Sequence, residues 1–368
     1  MKPEKKNILC VVGTRPEAIK MAPVILALQQ NSQVNVRVLA TAQHRQLLDQ
    51  VLNIFDIQPD IDLDIMSPNQ ALTALTARLL MKLDQVLQAE KPDAVLAQGD
   101  TTTVMTVALA CFYYQIPFGH IEAGLRTGDM FSPFPEEMNR VVAGRLAQWH
   151  FAPTEQARQN LLQEGIPDAN IWLTGNTVID ALKTVTSRTL EIEVNLNEMK
   201  RLILVTVHRR ENFGVPIQNI CSALLKLLER NDDIQILFPV HPNPNIRKIV
   251  YEMLDGHPEV VLCSPLDYLP FVAAMQRAFF ILSDSGGVQE EAPALGKPVL
   301  MLRSETERPE AGVVKLIGHD YETIVAESQR LLDDKLAYQQ MAQNISPYGD
   351  GRAAERIVSV VIRFANEF

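Results

Sequence analysis

Short apolar runs, each followed by a polar or glycine-containing turn and then a segment of helical period, recur along the whole chain. Unbroken apolar runs of about four to eight residues mark strands buried on both faces, and their alternation with helical segments predicts parallel α/β architecture. In the first half the pattern predicts strands at 7–12, 34–40, 94–98, 118–121 and 149–152. Helices are predicted at 16–30, 44–55, 72–89, 102–114, 136–146 and 154–164. The stretch 175–200 carries no strand signal and ends in the acidic segment 191–198, after which the rhythm restarts. Strands are then predicted at 201–207, 235–239, 260–263, 279–282 and 298–302. Helices are predicted at 217–230, 245–254, 268–276, 287–295, 321–332 and 352–364. The expected architecture is two doubly wound, Rossmann-like α/β domains, 1–175 and 176–351, facing across a cleft. The helix within 352–368 is expected to pack back on the first.

A chain of 368 residues, at roughly 150 per domain, fits two domains. With 47% apolar and 21% charged residues, 17 Gly and 22 Pro, the composition excludes a disordered, collagenous or coiled-coil protein. The net charge of −10 argues against a nucleic-acid or membrane partner, so an anionic ligand must be held by a local cluster of cations. The four cysteines, Cys10, Cys111, Cys221 and Cys263, stand far apart without a CxxC pair, which points to a reducing compartment. The apolar run 8–12 is much shorter than a secretory core, and no stretch reaches the ~18 residues of a membrane span; a cytoplasmic location is expected.

In open α/β sheets, ligands bind outside the carboxyl ends of the strands, so the residues just after each strand are the ones to inspect. The first strand runs into Gly13-Thr14-Arg15-Pro16-Glu17, with Lys20 a turn later, and the strand ending at Gln98 into Gly99-Asp100-Thr101-Thr102-Thr103. The next delivers His120-Ile121-Glu122-Ala123-Gly124-Leu125-Arg126. In the second half the corresponding loops hold His208-Arg209-Arg210-Glu211, His241-Pro242-Asn243-Pro244 and Asp284-Ser285-Gly286-Gly287. Taken singly, Asp100 and Ser285 read equally well as helix N-caps, Glu122 and Glu136 as solvated carboxylates, and His208 as a structural histidine. Their joint placement at one predicted edge of two sheets is what points to chemistry. Ser285-Gly286-Gly287 opening a helix offers close backbone approach and the positive end of a helix dipole to a phosphate, with Arg15 and Lys20 as cations. The chain has neither GxGxxG nor GxxxxGK[ST], so the phosphate ligand need not be NAD or ATP. Asp62-Leu63-Asp64 has the spacing of a metal-binding pair but lies in an alternating stretch away from these loops. The histidines lack metal-ligand spacing, and a reaction free of metal and cofactor is expected.

Together with Pro133-Phe134-Pro135-Glu136-Glu137, Asp284-Ser285-Gly286-Gly287-Val288-Gln289-Glu290-Glu291 and Thr306-Glu307-Arg308-Pro309-Glu310, these loops resemble the bacterial non-hydrolysing UDP-N-acetylglucosamine 2-epimerases, in order along essentially the whole chain. The resemblance implies a two-domain fold like the GT-B glycosyltransferases, a homodimer, and UDP in the interdomain cleft. The family reaction converts UDP-GlcNAc to UDP-ManNAc without a redox cofactor, serving cell-surface polysaccharide synthesis. Because the C2 proton is not acidic, loss of UDP must accompany or precede its removal, giving 2-acetamidoglucal with a planar C2, which is reprotonated on the other face as UDP adds back. Such a route needs proton-transfer groups on two faces of the sugar and stabilisation of the departing diphosphate.

By resemblance, Asp100, Glu122 and Glu136 are the catalytic carboxylates and His208 a further acid–base or leaving-group partner. Arg15, Lys20, Ser285, Gly286, Gly287 and Arg308 match positions around the substrate and its diphosphate, Glu291 the ribose-binding carboxylate, and Phe271 the uracil contact. An activating second UDP-GlcNAc site maps onto Gln43, Gln46, Arg209, Glu211 and His241, with Asn69 where some members carry a basic residue. The chain also closes Pro309-Glu310-Ala311-Gly312 about three residues short of the family pattern. The rival readings are a GT-B glycosyltransferase, which needs only one strong base and an acceptor pocket, and a hydrolysing 2-epimerase, which admits water to the intermediate. A silent nucleotide-sugar sensor would dispense with the carboxylates.

Overall fold

The computed structural model describes residues 5–41, 45–65, 70–192, 194–304, 313–343 and 346–365, with the side chains of 45–47 and 365 outside the described set. By its internal contacts the chain divides into two units, Met1–Lys183 with Tyr348–Phe368, and Thr184–Pro347.

The first unit alternates β1 (Lys6–Val12), α1 (Arg15–Gln29), β2 (Val34–Ala40), α2 (Arg45–Ile54), β3 (Ile61–Asp62), α3 (Leu72–Glu90), β4 (Ala94–Gln98), α4 (Thr102–Tyr114) and β5 (Phe118–Ile121). It continues with α5 (Glu136–Leu146), β6 (Trp149–Ala152), α6 (Glu155–Gln163), β7 (Ile171–Leu173) and α7 (Thr177–Thr186). The second runs β8 (Arg201–Thr206), α8 (Val215–Arg230), β9 (Ile234–Pro239), α9 (Pro244–Leu254), β10 (Val260–Cys263), α10 (Tyr268–Arg277), β11 (Ala278–Ser283), α11 (Gly286–Ala294), β12 (Val299–Met301), β13 (Val314–Leu316), α12 (Tyr321–Asp333) and α13 (Lys335–Met341). Helix α14 (Ala353–Ala365) ends the chain and packs on α1.

The strand orders are β3-β2-β1-β4-β5-β6-β7 and β10-β9-β8-β11-β12-β13, parallel at every pairing. These are the two Rossmann-like sheets expected from the sequence. In each, the strand order reverses once, between β1 and β4 and between β8 and β11, and crevices for ligands open at such switch points. The loops that flank the two reversals hold Asp100, after β4, and His208 and Asp284, after β8 and β11.

Burial follows the pattern. All five residues of β4 are buried, and α3 buries Leu75, Leu79, Leu83, Val86 and Leu87, a helical stripe in which each side chain contributes about 1.5–3 kcal/mol. The second core gathers Ile203 and Val205 of β8, Ile236 and Phe238 of β9, Phe280 and Leu282 of β11, and Ile217, Ile220 and Leu224 of α8. The apolar runs miss β3, β7 and β13, which are the outermost strands of two or three residues and too short to register as runs. Helices α7 and α13 escape for the related reason that each sits between polar stretches.

The chain returns to its first unit beside the place it left. Asn176 N donates to the Tyr348 carbonyl at 2.7 Å, and the Asp180 carboxylate accepts Ala353 N at 3.2 Å and Ala354 N at 2.9 Å, capping α14.

Gly124 has φ +90, and a Cβ there would lie 2.2 Å from the Ala157 carbonyl oxygen, whereas Gly165, at φ +82, faces open space. Gly165→Ala should therefore cost only backbone strain, about 1 kcal/mol. Gly124→Ala adds overpacking against backbone and should cost about 3 kcal/mol or more. Urea midpoints of the two variants at unchanged m-value test the difference, and equal shifts would show that α6 does not close on Gly124.

Candidate active site

The loop between β1 and α1 is organised by Glu17. Thr14 and Glu17 form a capping box, in which the Glu17 carboxylate accepts Thr14 N at 3.1 Å; it also accepts Gly13 N at 2.6 Å and the Thr101 hydroxyl at 2.6 Å. Glu17 is 3% exposed. Burial pushes its carboxyl up to about 7, the hydrogen bonds from Thr101, Gly13 and Thr14 oppose that, and the charge of Asp100 adds to it. The half-buried Arg15 is the first residue of α1.

One turn further along α1, Lys20 forms an ion pair with Glu122, both side chains less than a tenth exposed. Asn176, just beyond β7, donates from Nδ2 to the same Glu122 oxygen at 3.1 Å. Glu122 follows β5 with φ +66, a left-handed backbone that a side chain adopts only where its surroundings enforce it. Next to it, Asp100 follows β4 and is gripped at two points, with a third grip on Gly99 before it. Arg140 on α5 meets its carboxylate at 2.8 Å, Asn139 donates to its carbonyl at 2.9 Å, and the His120 Nε2–H donates to the preceding Gly99 carbonyl at 2.7 Å. Burial drives the His120 imidazole down to about 3, so it stays neutral and acts as a fixed donor. Glu136 is half-buried in the first turn of α5. Its neighbour Glu137 is fully buried and accepts Thr127 N at 3.1 Å and Gly128 N at 3.1 Å, with Arg140 Nε at 3.4 Å.

In the second unit the corresponding buried carboxylate is Asp284, which follows β11 and is 0% exposed. It accepts His208 N at 2.9 Å, Arg209 N at 2.9 Å and Asn212 Nδ2 at 2.9 Å, and its Oδ1 lies 2.9 Å from His208 Nδ1. Burial works against its charge, yet the His208 ring, with Arg209 N and Asn212, holds the carboxyl below the usual carboxylate range. The His208 side chain is 42% exposed, and the His241 ring lies 6.2 Å away, pushed down by burial and then by His208. Arg209 Nε donates to the Asp284 carbonyl at 2.9 Å, and Glu211 pairs with Arg303 at 3.4 Å.

Ser285 is the N-cap of α11 but its hydroxyl makes no capping bond to the helix, while Ser285 N donates to the Ser283 hydroxyl at 3.0 Å. Glu291, on α11, is buried and accepts the Tyr268 hydroxyl at 2.8 Å. Phe271 is half-buried on α10, three residues after Tyr268 and so on the same face. Asp62 spends an oxygen on Asp64 N at 3.0 Å, which makes that pair a turn. Gln43, Asn69, Arg308 and the side chain of Gln46 lie outside the described residues.

Of the residues chosen from sequence, the structure joins Lys20 to Glu122. The others chiefly meet residues that sequence reasoning passed over: Glu17, Asn139, Arg140, Asn176, Asp284 and Tyr268. Glu17 and Asp284 stood inside the quoted motifs as spacing residues, and only their burial marks them. Asn176 follows an edge strand too short to be read, so the rule of inspecting strand ends did not reach it.

The sequence profile described as UDP-N-acetylglucosamine 2-epimerase matches residues 26–362. The UDP-N-acetylglucosamine 2-epimerase of Salmonella typhimurium is 54% identical over 369 residues, covering 96% of this chain and 98% of that protein. The crystal structure of the UDP-GlcNAc 2-epimerase of Neisseria meningitidis, bound to UDP-GlcNAc, superposes with TM-score 0.90 at 47% identity, covering 97% of this chain and 100% of that one. The Methanocaldococcus jannaschii enzyme, in complex with UDP-GlcNAc and UDP, matches with TM-score 0.82 at 32% identity, covering 97% of this chain and 99% of that one.

Glu17 gives a pH-dependent signature. Its carboxyl is raised on folding from 4.5 to about 7, so between those values the native state binds more protons than the unfolded one and stability falls as pH rises. Glu17→Gln removes this contribution. Relative to wild type, the variant should gain stability steadily from pH 4.5 to 7, by at most about 3 kcal/mol, in urea unfolding at fixed ionic strength. A difference independent of pH would mean that Glu17 is ionised throughout.

Proposed function

The chain belongs to the UDP-N-acetylglucosamine 2-epimerase family, and on that footing we propose that it inverts carbon 2 of UDP-GlcNAc to give UDP-ManNAc by eliminating and re-adding UDP. The observation that carries this reading is the set of three carboxylates, Asp100, Glu122 and Glu136, at the carboxyl edge of one sheet. Two of them face a buried cation, Glu122 on Lys20 and Asp100 on Arg140, which also meets Glu137. A glycosyltransferase of the same fold has no use for a second proton-transfer group.

The carboxylates and His208 serve the proton transfers. As a base takes the C2 proton, the C2–H electrons become the C1=C2 bond and the C1–O electrons leave with UDP. Delivery of a proton to the opposite face of C2, with UDP returning to C1, completes the inversion, and no electrons are gained or lost overall. Ser285, Gly286 and Gly287 offer backbone amides to the diphosphate. Arg15 and Arg308 supply positive charge, Glu291 takes the ribose hydroxyls and Phe271 stacks on uracil. The reaction needs no redox cofactor and no metal, and its product feeds cell-surface polysaccharide synthesis in the cytoplasm. Gln43, Gln46, Arg209, Glu211 and His241 hold an activating second UDP-GlcNAc. The protein works as a homodimer, a reading supported by the exposed Met81 on α3 and Phe112 and Tyr113 on α4, two helices packed together.

Incubation with UDP-GlcNAc in deuterated water should yield UDP-ManNAc carrying deuterium at C2. Product without the label would sink the elimination route, and release of free ManNAc with UDP would make the enzyme a hydrolysing one. Asp100→Asn, Glu122→Gln and Glu136→Gln should each lower kcat by ~10²-fold or more with UDP affinity little changed. A variant of normal turnover would remove that residue from the chemistry. The second site requires sigmoidal kinetics in UDP-GlcNAc, and a hyperbolic curve would count it out.

A further inference from the structure

We propose that Asp284 is the positioning residue for His208, fixing its ring orientation and tautomer so that Nε2 is the nitrogen that exchanges a proton with the nucleotide sugar; this rests on the epimerase reading above.

Three features carry the inference. Asp284 is completely buried while the His208 side chain is 42% exposed, so the two form a bridge from the interior to the surface of their unit, with Oδ1 to Nδ1 at 2.9 Å. The carboxylate is itself immobilised by His208 N, Arg209 N and Asn212 Nδ2, and Asn212 is anchored in turn on the Leu302 carbonyl at 3.2 Å. An ionised carboxylate accepts only, so a neutral His208 facing it carries its proton on Nδ1 and leaves the Nε2 lone pair for the ligand. When Nε2 takes a proton, the imidazolium is met by a charge already in place and no group must move, the logic by which a buried Asp serves a catalytic His in hydrolytic triads. The proton returns from Nε2 later in the cycle, so the pair ends as it began. Asp284 also directly precedes Ser285-Gly286-Gly287, whose first amide is held by the Ser283 hydroxyl, so the residue that faces the ring adjoins the segment proposed for the diphosphate.

The test uses full-length protein with 15N-labelled histidine. In wild type at a pH where His208 is neutral, the ring nitrogen shifts should report the Nδ1–H tautomer. In Asp284→Asn, the side-chain amide placed against Nδ1 donates to it and should move the proton to Nε2. With that change kcat should fall ~10²-fold and KM by less than about threefold, whereas on a His208→Asn background Asp284→Asn should change kcat by less than about threefold, because the two act as a unit. An Nε2–H tautomer in wild type, or losses that multiply in the double variant, would overturn the proposal. Asp284 also accepts backbone amides, so should Asp284→Asn fail to fold by circular dichroism, the wild-type tautomer alone decides. That reading needs no turnover: Nδ1–H in a protein that makes no UDP-ManNAc would leave the dyad standing and remove the epimerase reading.

Discussion

A carboxylate withdrawn from water loses several kcal/mol of hydration and survives only where donors replace it. Glu17, Glu137 and Asp284, all at most 3% exposed, each take consecutive backbone amides from a loop: Gly13 and Thr14, Thr127 and Gly128, His208 and Arg209. One loop beside the switch point of each sheet, after β1 and after β8, and the loop after β5 are thereby set by an electrostatic requirement that tolerates little displacement. Parallel sheets explain where the polar residues gather; the buried carboxylates explain why those residues hold one geometry.

The same device gives opposite electrostatic results in the two units. Glu17 has neutral donors only and stands near the charge of Asp100, so burial prevails and its carboxyl is pushed up to about 7. Asp284 suffers comparable burial but adds the ring of His208 to its donors, and its carboxyl is held below the ordinary range. A positively charged or chargeable partner is worth more to a buried anion than a further neutral donor. Glu17 is therefore a structural tie that can exist in either protonation state, whereas Asp284 is a standing negative charge aimed at one imidazole.

The α/β alternation was legible because strands such as β4 are buried on both faces and leave unbroken apolar runs, and the strand-end rule then led to Asp100, Glu122, His208 and Ser285. The residues that hold these in place were not legible. Glu17 reads from sequence as a first-turn acid of a helix, a role it fills, but nothing in sequence reveals that Thr101, far along the chain, closes over it. Arg140 and Asn139 lie on α5 while the Asp100 they grip leaves β4, and that meeting is a consequence of sheet order. Asn176 depends on an edge strand of three residues and on the return of the chain at Tyr348. Sequence pattern finds groups that sit at strand ends; it misses groups whose purpose exists only once distant loops are neighbours.

One electrostatic difficulty remains for a chain of net charge −10 whose proposed ligand is a diphosphate and whose proposed catalysts are carboxylates. At an effective dielectric constant near 20, two unit charges ~4 Å apart repel by about 4 kcal/mol, enough to cost roughly three orders of magnitude in affinity. The fold meets this locally. Lys20 faces Glu122, and Arg140 lies between Asp100 and Glu137, each cation being less than a tenth exposed and so weakly screened. The carboxylates can then remain close enough to a sugar ring to move protons without making the site hostile to the phosphates attached to it. On this account the cations beside the carboxylates matter to binding as much as to catalysis, because they let an acidic protein hold an acidic ligand.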